Sequence, residues 1–181
     1  MIEQSSYLYG VIYEALRLTY GVSPRSPRTA RDEVLTYQKG KYSYVIPKGI
    51  PIGMSSVIQH HEKEVFPGSY TYKPERWIDP VSGKTNYALE KYLMSFSKGS
   101  RQCLGMNLAL CELHLIAAAL ALRVLPHARL YQTTQEDVPY DFGLVVPQIK
   151  KGRRCAYYSF LAILELRSGL DIRFEWVFFK T

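Results

Sequence analysis

The chain has 181 residues, 47% of them hydrophobic and 22% charged, with a formal net charge of +7. This length accommodates one domain with its own core, or a small domain with appendages, and the composition argues against a disordered chain. The basic balance suits nucleic acid, an anionic membrane surface or an acidic partner protein, and does not choose among them.

The first predicted element is a helix over residues 2–20. Leu8 and Ile12 belong to an apolar series at helical spacing, and Gly21 followed by Pro24 ends that series. The first six residues of the chain lack the basic flank and the apolar run of a signal peptide. We therefore expect no signal peptide in this chain.

Glu14 and Arg17 stand three residues apart in this helix, so their charges share one face and can pair. Taken alone, such a pair is most often a solvated surface pair that adds little stability. Residues 25–28 follow as an extended segment, because each flanking proline pushes the residue before it out of the helical region. Arg28 ends this segment.

Two short strands are predicted over residues 42–46 and 50–54. The tripeptide between them has Pro and Gly in positions typical of a turn. Residues 62–80 are rich in Pro and Gly and are predicted as a long ordered loop with at most a helical turn. His60 and His61 precede this loop, and in a strand they would face opposite sides. Neither has the spacing of a metal site.

A cysteine motif precedes the second predicted helix. Phe96, Gly99, Arg101, Cys103 and Gly105 complete the pattern Phe-x-x-Gly-x-Arg-x-Cys-x-Gly. A sulfur just before a helix lies near free backbone N–H groups and the positive end of the helix dipole, which favours the thiolate that a metal needs. The alternative is a small buried apolar residue.

The second predicted helix covers residues 105–123, and residues 124–147 are predicted as irregular strands and turns. The most apolar stretch of the chain, residues 104–122, is interrupted by Asn107, Glu112 and His114, so no membrane span is predicted. Three cysteines, an odd number, argue against a disulfide framework and for a reducing compartment. Cys111 is predicted to be a core residue.

These motifs, in this order, resemble those of the cytochrome P-450 family. The cysteine motif is similar to the family's haem-binding loop, and Glu14-x-x-Arg17 to the motif on the helix that braces this loop. Residues 74–77, Pro-Glu-Arg-Trp, resemble the Pro-Glu-Arg-Phe segment. The resemblance covers roughly residues 1–150 and looks most like fungal microsomal members.

The resemblance implies a cofactor, haem b, whose iron takes Cys103 as axial ligand. It places Arg28 against a haem propionate and joins Arg76 to Glu14 and Arg17 in a buried charge network. The cofactor-binding residues that it implies are Arg28, Phe96, Gly99, Arg101, Cys103 and Gly105.

The implied fold class is mainly α with small β-sheets (α+β), as the incomplete C-terminal part of the family fold. Residues 1–155 would belong to this domain, and residues 156–181 would form an atypical tail. A complete member is far longer. By this resemblance, the membrane anchor and the long central helix, whose acid and threonine assist dioxygen activation, are expected to be missing from the 181 residues.

The implied function is haem-thiolate monooxygenase activity, which inserts one oxygen atom of O2 into a lipophilic small molecule. The implied partners are O2, this substrate and an NADPH-dependent flavoprotein reductase, for which Lys91 and Lys98 form a basic face. The full-length parent would reside in the endoplasmic reticulum membrane. The alternative is a non-catalytic remnant that at best binds haem. A nucleic-acid-binding module is not favoured, because the basic residues are dispersed and no such motif is present.

Overall fold

The computed structural model describes residues 5–127, 140–143 and 147–149 of the protein. The predicted tail, residues 156–181, lies outside these residues, and so does the proposed boundary at residue 155. Within them, two two-stranded antiparallel sheets lie between the first two α-helices in chain order, and a third follows the last helix. The predicted class, mainly α with small β-sheets, is confirmed.

Helix α1 (Ser6–Thr19) agrees with the first predicted helix. It begins where the side chain of Ser5 accepts a hydrogen bond from the amide of Leu8, at 3.4 Å. It ends because the next two residues, Tyr20 and Gly21, adopt left-handed backbone angles, with φ of 60° and 63°.

Four short strands follow, and their pairing differs from the prediction. They are β1 (Arg28–Thr29), β2 (Leu35–Lys39), β3 (Tyr42–Ile46) and β4 (Pro51–Ile52). The strand predicted over residues 42–46 is present, but it pairs with β2, and β4 pairs with β1. The hairpin turns at Gly40, whose φ of +58° only a glycine adopts without strain. The alternating side chains of residues 35–39, followed by this glycine, are the sequence signal for β2 that the prediction missed.

A short helix, α2 (Ser56–His60), precedes the long loop. His60 is the last residue of this helix and His61 follows it, so the two side chains are not arranged as they would be in a strand. The loop over residues 62–80 is as predicted, because its regular structure is a single 3₁₀ turn at Pro74–Trp77.

Helix α3 (Met106–Arg123) follows the cysteine motif, one residue later than predicted. A 3₁₀ turn at Leu125–His127 comes next, and strands β5 (Tyr140–Gly143) and β6 (Pro147–Ile149) form an antiparallel pair. Among the residues of α3, only Leu120 is buried. Cys111, predicted as core, is exposed because it lies on an uncovered side of this helix.

The segment Met106–His127 is, by length and composition alone, apolar enough to cross a membrane. The three polar residues that interrupt it do not lower its average hydropathy enough to exclude a span. Core helices of soluble proteins meet the same measure, so this property does not assign a location.

The core lies between α1 and the turn at Pro74–Trp77. Tyr9, Phe66, Trp77 and Leu93 form its buried apolar cluster. Gly10 lets the two elements meet, because a Cβ there would lie 2.6 Å from the carbonyl oxygen of Pro74. This contact places Arg76 of the turn beside Glu14 of α1, where the predicted charge network lies.

Candidate functional site

A cavity of about 1010 Å³ lies beside the cysteine motif. Its wall combines the segment after α1, the β2–β3 hairpin, the residues after β4 and the loop before α3. Four residues predicted to bind the cofactor line it: Arg28, Phe96, Arg101 and Cys103. Segments far apart in sequence thus surround one space with the residues that the motif analysis selected.

The loop before α3 folds back on itself to present Cys103. The amide of Cys103 donates a hydrogen bond to the carbonyl of Phe96 at 2.9 Å, and a 3₁₀ turn at Gly99–Arg101 lies between them. The N-cap residue of α3 is Gly105, which offers no side chain to the first-turn amides. The exposed sulfur therefore lies two residues before a helix N-terminus, where partial positive charge favours an anion.

The two glycines of the motif occupy different environments. Gly99 has a φ of +78°, which a side chain would strain, so a tight turn explains it. Gly105 has an ordinary φ of −84°, and a Cβ there would meet no atom within 4 Å. Neither lines the cavity, so a close approach of either glycine to a ligand remains a prediction.

Two exposed guanidinium groups, those of Arg28 and Arg101, also line the cavity. Arg28 donates to the carbonyl of Pro27 at 3.2 Å. Within residues 5–127, neither arginine is paired with a carboxylate. Both are therefore available to an anionic group, and their planar forks suit a carboxylate.

The predicted charge network is formed beneath α1. Arg17 binds both carboxylate oxygens of Glu14, with Nε–Oε2 and Nη2–Oε1 distances of 3.0 and 2.8 Å. Arg76 Nε lies 2.9 Å from Glu14 Oε1. The side chains of Glu14 and Arg17 are fully buried and that of Arg76 is 8% exposed. The alternative of a solvated surface pair is therefore wrong.

Backbone carbonyls satisfy the remaining donors of the two arginines. Arg17 Nη1 donates to His60 O and Ser69 O at 2.8 and 2.7 Å. Arg76 Nη1 donates to Pro67 O at 3.1 Å. A buried charge needs such partners, because its desolvation is otherwise uncompensated. The long loop is ordered in this way around the network.

Trp77 is a further member of the network, beyond the aromatic position that the sequence motif assigns to it. Its indole N–H donates to Glu14 Oε2 at 2.9 Å, and the amide of Lys73 donates to Oε1 at 3.1 Å. Burial alone would raise the pKa of Glu14, but the hydrogen bonds and charge of Arg17, with these two donors, hold that pKa below its usual range. A buried indole needs an acceptor, which is the signal that could have predicted this role.

His60 is the second residue whose role the sequence analysis missed. It is fully buried, and its ring nitrogens contact Arg17 O at 2.6 Å and the amide of Met94 at 2.7 Å. Burial lowers the pKa of His60 to about 4, so the ring is neutral at pH 7. Its neighbour His61 contacts the hydroxyl of Tyr20 instead.

The donor set of the cavity fits the haem that the resemblance implies. Cys103 could supply a sulfur ligand, and Arg28 and Arg101 could supply two cations for carboxylates. The remaining wall is largely apolar, with Val22, Leu35, Ile46, Ile52, Met54 and Met94. Within the part of the chain that the structure describes, no three His, Cys, Asp or Glu residues cluster as a metal site. A macrocycle that brings its own nitrogen ligands needs only the one sulfur.

Comparison with known proteins gives one consistent result. The family model described as Cytochrome P450 matches residues 1–150. A solved chain, described as retinoic acid bound cyanobacterial CYP120A1, shares the fold, with a TM-score of 0.58 at 22% identity. The match covers 80% of this chain and 30% of that one.

Fungal proteins are among the relatives that the chain matches by sequence. The chain is 40% identical over 146 residues to "Cytochrome P450 monooxygenase oblB" of Cochliobolus heterostrophus, a match that covers 81% of this chain and 26% of that protein. It is 43% identical over 147 residues to "Cytochrome P450 monooxygenase MO6277" of Ascocoryne sarcoides, a match that covers 80% and 27%. The chain thus spans about a quarter of the length of these curated relatives.

Proposed function

The chain belongs to the cytochrome P450 family, and from this premise we propose that it is the haem-binding part of a haem-thiolate monooxygenase. The cavity carries the proposal, because it gathers Cys103, Arg28 and Arg101 from distant parts of the sequence around one space. The relatives named as monooxygenases support the reaction class.

Each residue of the site has a proposed task. Cys103 would hold the iron of haem b through its thiolate. Arg28 and Arg101 would bind the propionates, and Phe96 would pack in the apolar wall. Gly99 and Gly105 would keep the loop compact on either side of the cysteine. The network of Glu14, Arg17 and Arg76 would support the loop structurally, without contacting the cofactor.

When bound, haem supplies the activation of O2 and the transfer of one oxygen atom to a lipophilic substrate. The chain's own contribution would be to present the sulfur of Cys103 just before the N-terminal end of α3, with the cations Arg28 and Arg101 beside it.

The alternative is a piece that binds haem at most and turns nothing over. The uncovered apolar side chains of α3 favour it, because Leu108 and Leu122 are 65% and 77% exposed. Such a helix lacks the packing that a rigid catalytic domain provides. Turnover of any substrate by the purified chain would reject this alternative.

The deciding experiment is the spectrum of the reduced chain with haem and carbon monoxide. We expect the red-shifted Soret band of a thiolate-ligated complex, and we expect Cys103→Ala to abolish it. The exposed Cys111 in α3 provides a matched control, since Cys111→Ala should leave the band unchanged. A band that survives Cys103→Ala would overturn the assignment.

An NADPH-dependent flavoprotein reductase is the proposed electron donor, as the family membership suggests. Lys91 and Lys98 are exposed on the approach to the cysteine loop. Charge reversal in Lys98→Glu should slow electron delivery most at low salt, where opposite charges steer association. Lys84→Glu, in a separate exposed turn, is the control. Equal rates for both variants at low salt would remove Lys98 from the docking face.

The parent protein is proposed to act at the endoplasmic reticulum membrane on a lipophilic small molecule. The apolar character of the cavity wall and the fungal relatives support this assignment. Cell fractionation of the parent protein would test it, and recovery of the parent wholly outside membranes would contradict it.

A further inference from the structure

The tautomer of His60 follows from its contacts. Met94 is a backbone N–H donor 2.7 Å from Nε2, so Nε2 must be the acceptor. The proton of a neutral ring then lies on Nδ1, which donates to the carbonyl of Arg17 at 2.6 Å. One fully buried side chain thus joins the last turn of α1 to the segment that leads into the cysteine loop.

Two further contacts attach the same segment to the same helix end. The hydroxyl of Ser95 donates to the carbonyl of Leu16 at 2.6 Å. Gly21 lies so close that an added Cβ would be 2.3 Å from the carbonyl oxygen of Ser95. The last carbonyls of a helix have no partner within it, and here side chains from residues 60 and 95 occupy two of them.

The attached segment continues directly to the sulfur. Met94 to Ser97 line the cavity, and the carbonyl of Phe96 accepts the amide of Cys103 at 2.9 Å. Arg17, whose carbonyl His60 binds, also carries the guanidinium that pairs with Glu14. A continuous series of contacts therefore runs from the buried charge network to Cys103.

We propose that His60 is a positioning residue that transmits the rigidity of the charge network to the Cys103 loop. The proposal rests on the proposed haem-thiolate function for the meaning of that position. His60 does not line the cavity and touches no predicted haem contact, so it acts only through Met94 and the loop. Positioning of the loop requires Nε2, because this atom accepts the hydrogen bond from the amide of Met94.

Two amide variants separate positioning from simple core filling. In His60→Gln the side-chain oxygen reaches the place of Nε2 and can still accept from Met94. In His60→Asn the shorter amide reaches only the place of Nδ1 and can still donate to Arg17. If His60 only filled space, the shorter side chain of His60→Asn would lower the stability of the fold but would have no specific effect on the sulfur.

The test uses the full chain loaded with haem and compares the two variants with wild type. We expect His60→Gln to keep the thiolate-type carbon monoxide band and His60→Asn to convert most of it to the band of a lost thiolate. Haem should leave the Asn variant about tenfold faster than the Gln variant, the effect of one buried hydrogen bond. His61→Gln is the control, because His61 contacts Tyr20 and Tyr70 rather than the loop.

Equal bands and equal haem loss in His60→Asn and His60→Gln would overturn the proposal, even with both variants folded. Amide hydrogen exchange at Met94 provides a measurement that needs no haem. We expect slow exchange at Met94 in the wild-type chain and His60→Gln, and fast exchange in His60→Asn. Fast exchange in wild type would also overturn the proposal, whereas failure of wild type to form a thiolate band would contradict the haem function alone.

Discussion

The charge network beneath α1 and the helix α3 after the cysteine contrast in burial. In the network, ionised side chains are fully buried, as for Glu14 and Arg17. In α3, apolar side chains are exposed, as for Leu108 and Leu122. Residue type therefore does not predict burial here. A side chain is buried where another segment packs against it. Among the described residues, the loop over residues 62–80 is that segment for α1.

The contrast also separates two kinds of stabilisation. The network depends on hydrogen bonds that must all be made, because a buried charge without partners is costly. Helix α3 depends on apolar contact, which is graded and falls with the area that is covered. Substitutions in the two regions should therefore differ in size and in their dependence on position.

The largest effect is expected in the network. Glu14→Gln removes the carboxylate that, among residues 5–127, neutralises Arg17 and Arg76, so both guanidinium groups lose this counter-charge in a largely buried site. We expect a loss of about 3–5 kcal/mol in the free energy of unfolding, measured by chemical denaturation. Glu75→Gln, an exposed carboxylate in the same 3₁₀ turn, should change it by less than about 0.5 kcal/mol. Similar losses in the two variants would show that the network is not a distinct stabilising unit.

The second prediction tests whether burial varies along α3. Leu120→Ala removes the helix's one buried leucine and should cost about 2–5 kcal/mol. Leu122→Ala, two residues further on and 77% exposed, should cost less than about 0.5 kcal/mol. Thermal or chemical unfolding of the two variants checks the difference. A large loss for Leu122→Ala would mean that this side of α3 is covered in solution.

The third prediction concerns the indole in the network. Trp77→Phe keeps an aromatic ring in the core but removes the N–H that binds Glu14 Oε2. We expect a loss of about 1.5–3 kcal/mol in the free energy of unfolding, the range for hydrogen bonds to charged groups. The same variant in a Glu14→Gln background should cost less, because the acceptor is then neutral. Additive losses in this double-mutant cycle would contradict a coupled pair.

The fourth prediction, the smallest when expressed per pH unit, is a pH dependence set by His60. Its pKa is lowered from 6.5 to about 4 by burial, so between these values the unfolded chain binds a proton that the folded chain does not. Stability should therefore fall as pH decreases from 6.5 towards 4, by up to about 1.4 kcal/mol per pH unit for this group. Burial also lowers the pKa of His61, which adds to the slope in the same direction.

Denaturation of wild type and His60→Gln at a series of pH values measures this contribution. The variant should keep only the part of the slope that other groups provide. The carboxylate of Glu14 contributes at lower pH than His60. Because its pKa is lowered in the folded chain, the stability that it gives is lost as the pH falls through that folded-state pKa. An identical slope in the variant over pH 4–6.5 would show that His60 is accessible to protons in the folded chain.

Features whose residues lie close together in the sequence are predicted correctly. Glu14-x-x-Arg17, residues 74–77 and the cysteine motif each stand within ten residues, so each motif is recognisable from the order of its residues alone. Periodicity and the glycines at their ends predict the helices α1 and α3. Such features need no knowledge of which distant segments meet.

Sequence reasoning fails for features that depend on which distant segment a residue contacts. The partner of β3 is β2, because the turn at Gly40 joins them, and residues 50–54 pair elsewhere. The importance of His60 comes from contacts with residues 17 and 94, which the sequence around His60 does not indicate. The motif assigns Trp77 an aromatic position, although its N–H serves Glu14. No local pattern carries these pairings.

By itself, the sequence determined the family, the helices that flank the site and the sulfur that the site is built around. The tertiary structure alone decided which groups lie beside that sulfur, that the charges beneath α1 are buried, and that His60 joins them to the cysteine loop. The physical reason is the separation along the sequence over which each interaction acts. Helix formation and motif spacing act within a few turns of chain, whereas burial and hydrogen bonding in this core join residues up to 81 positions apart.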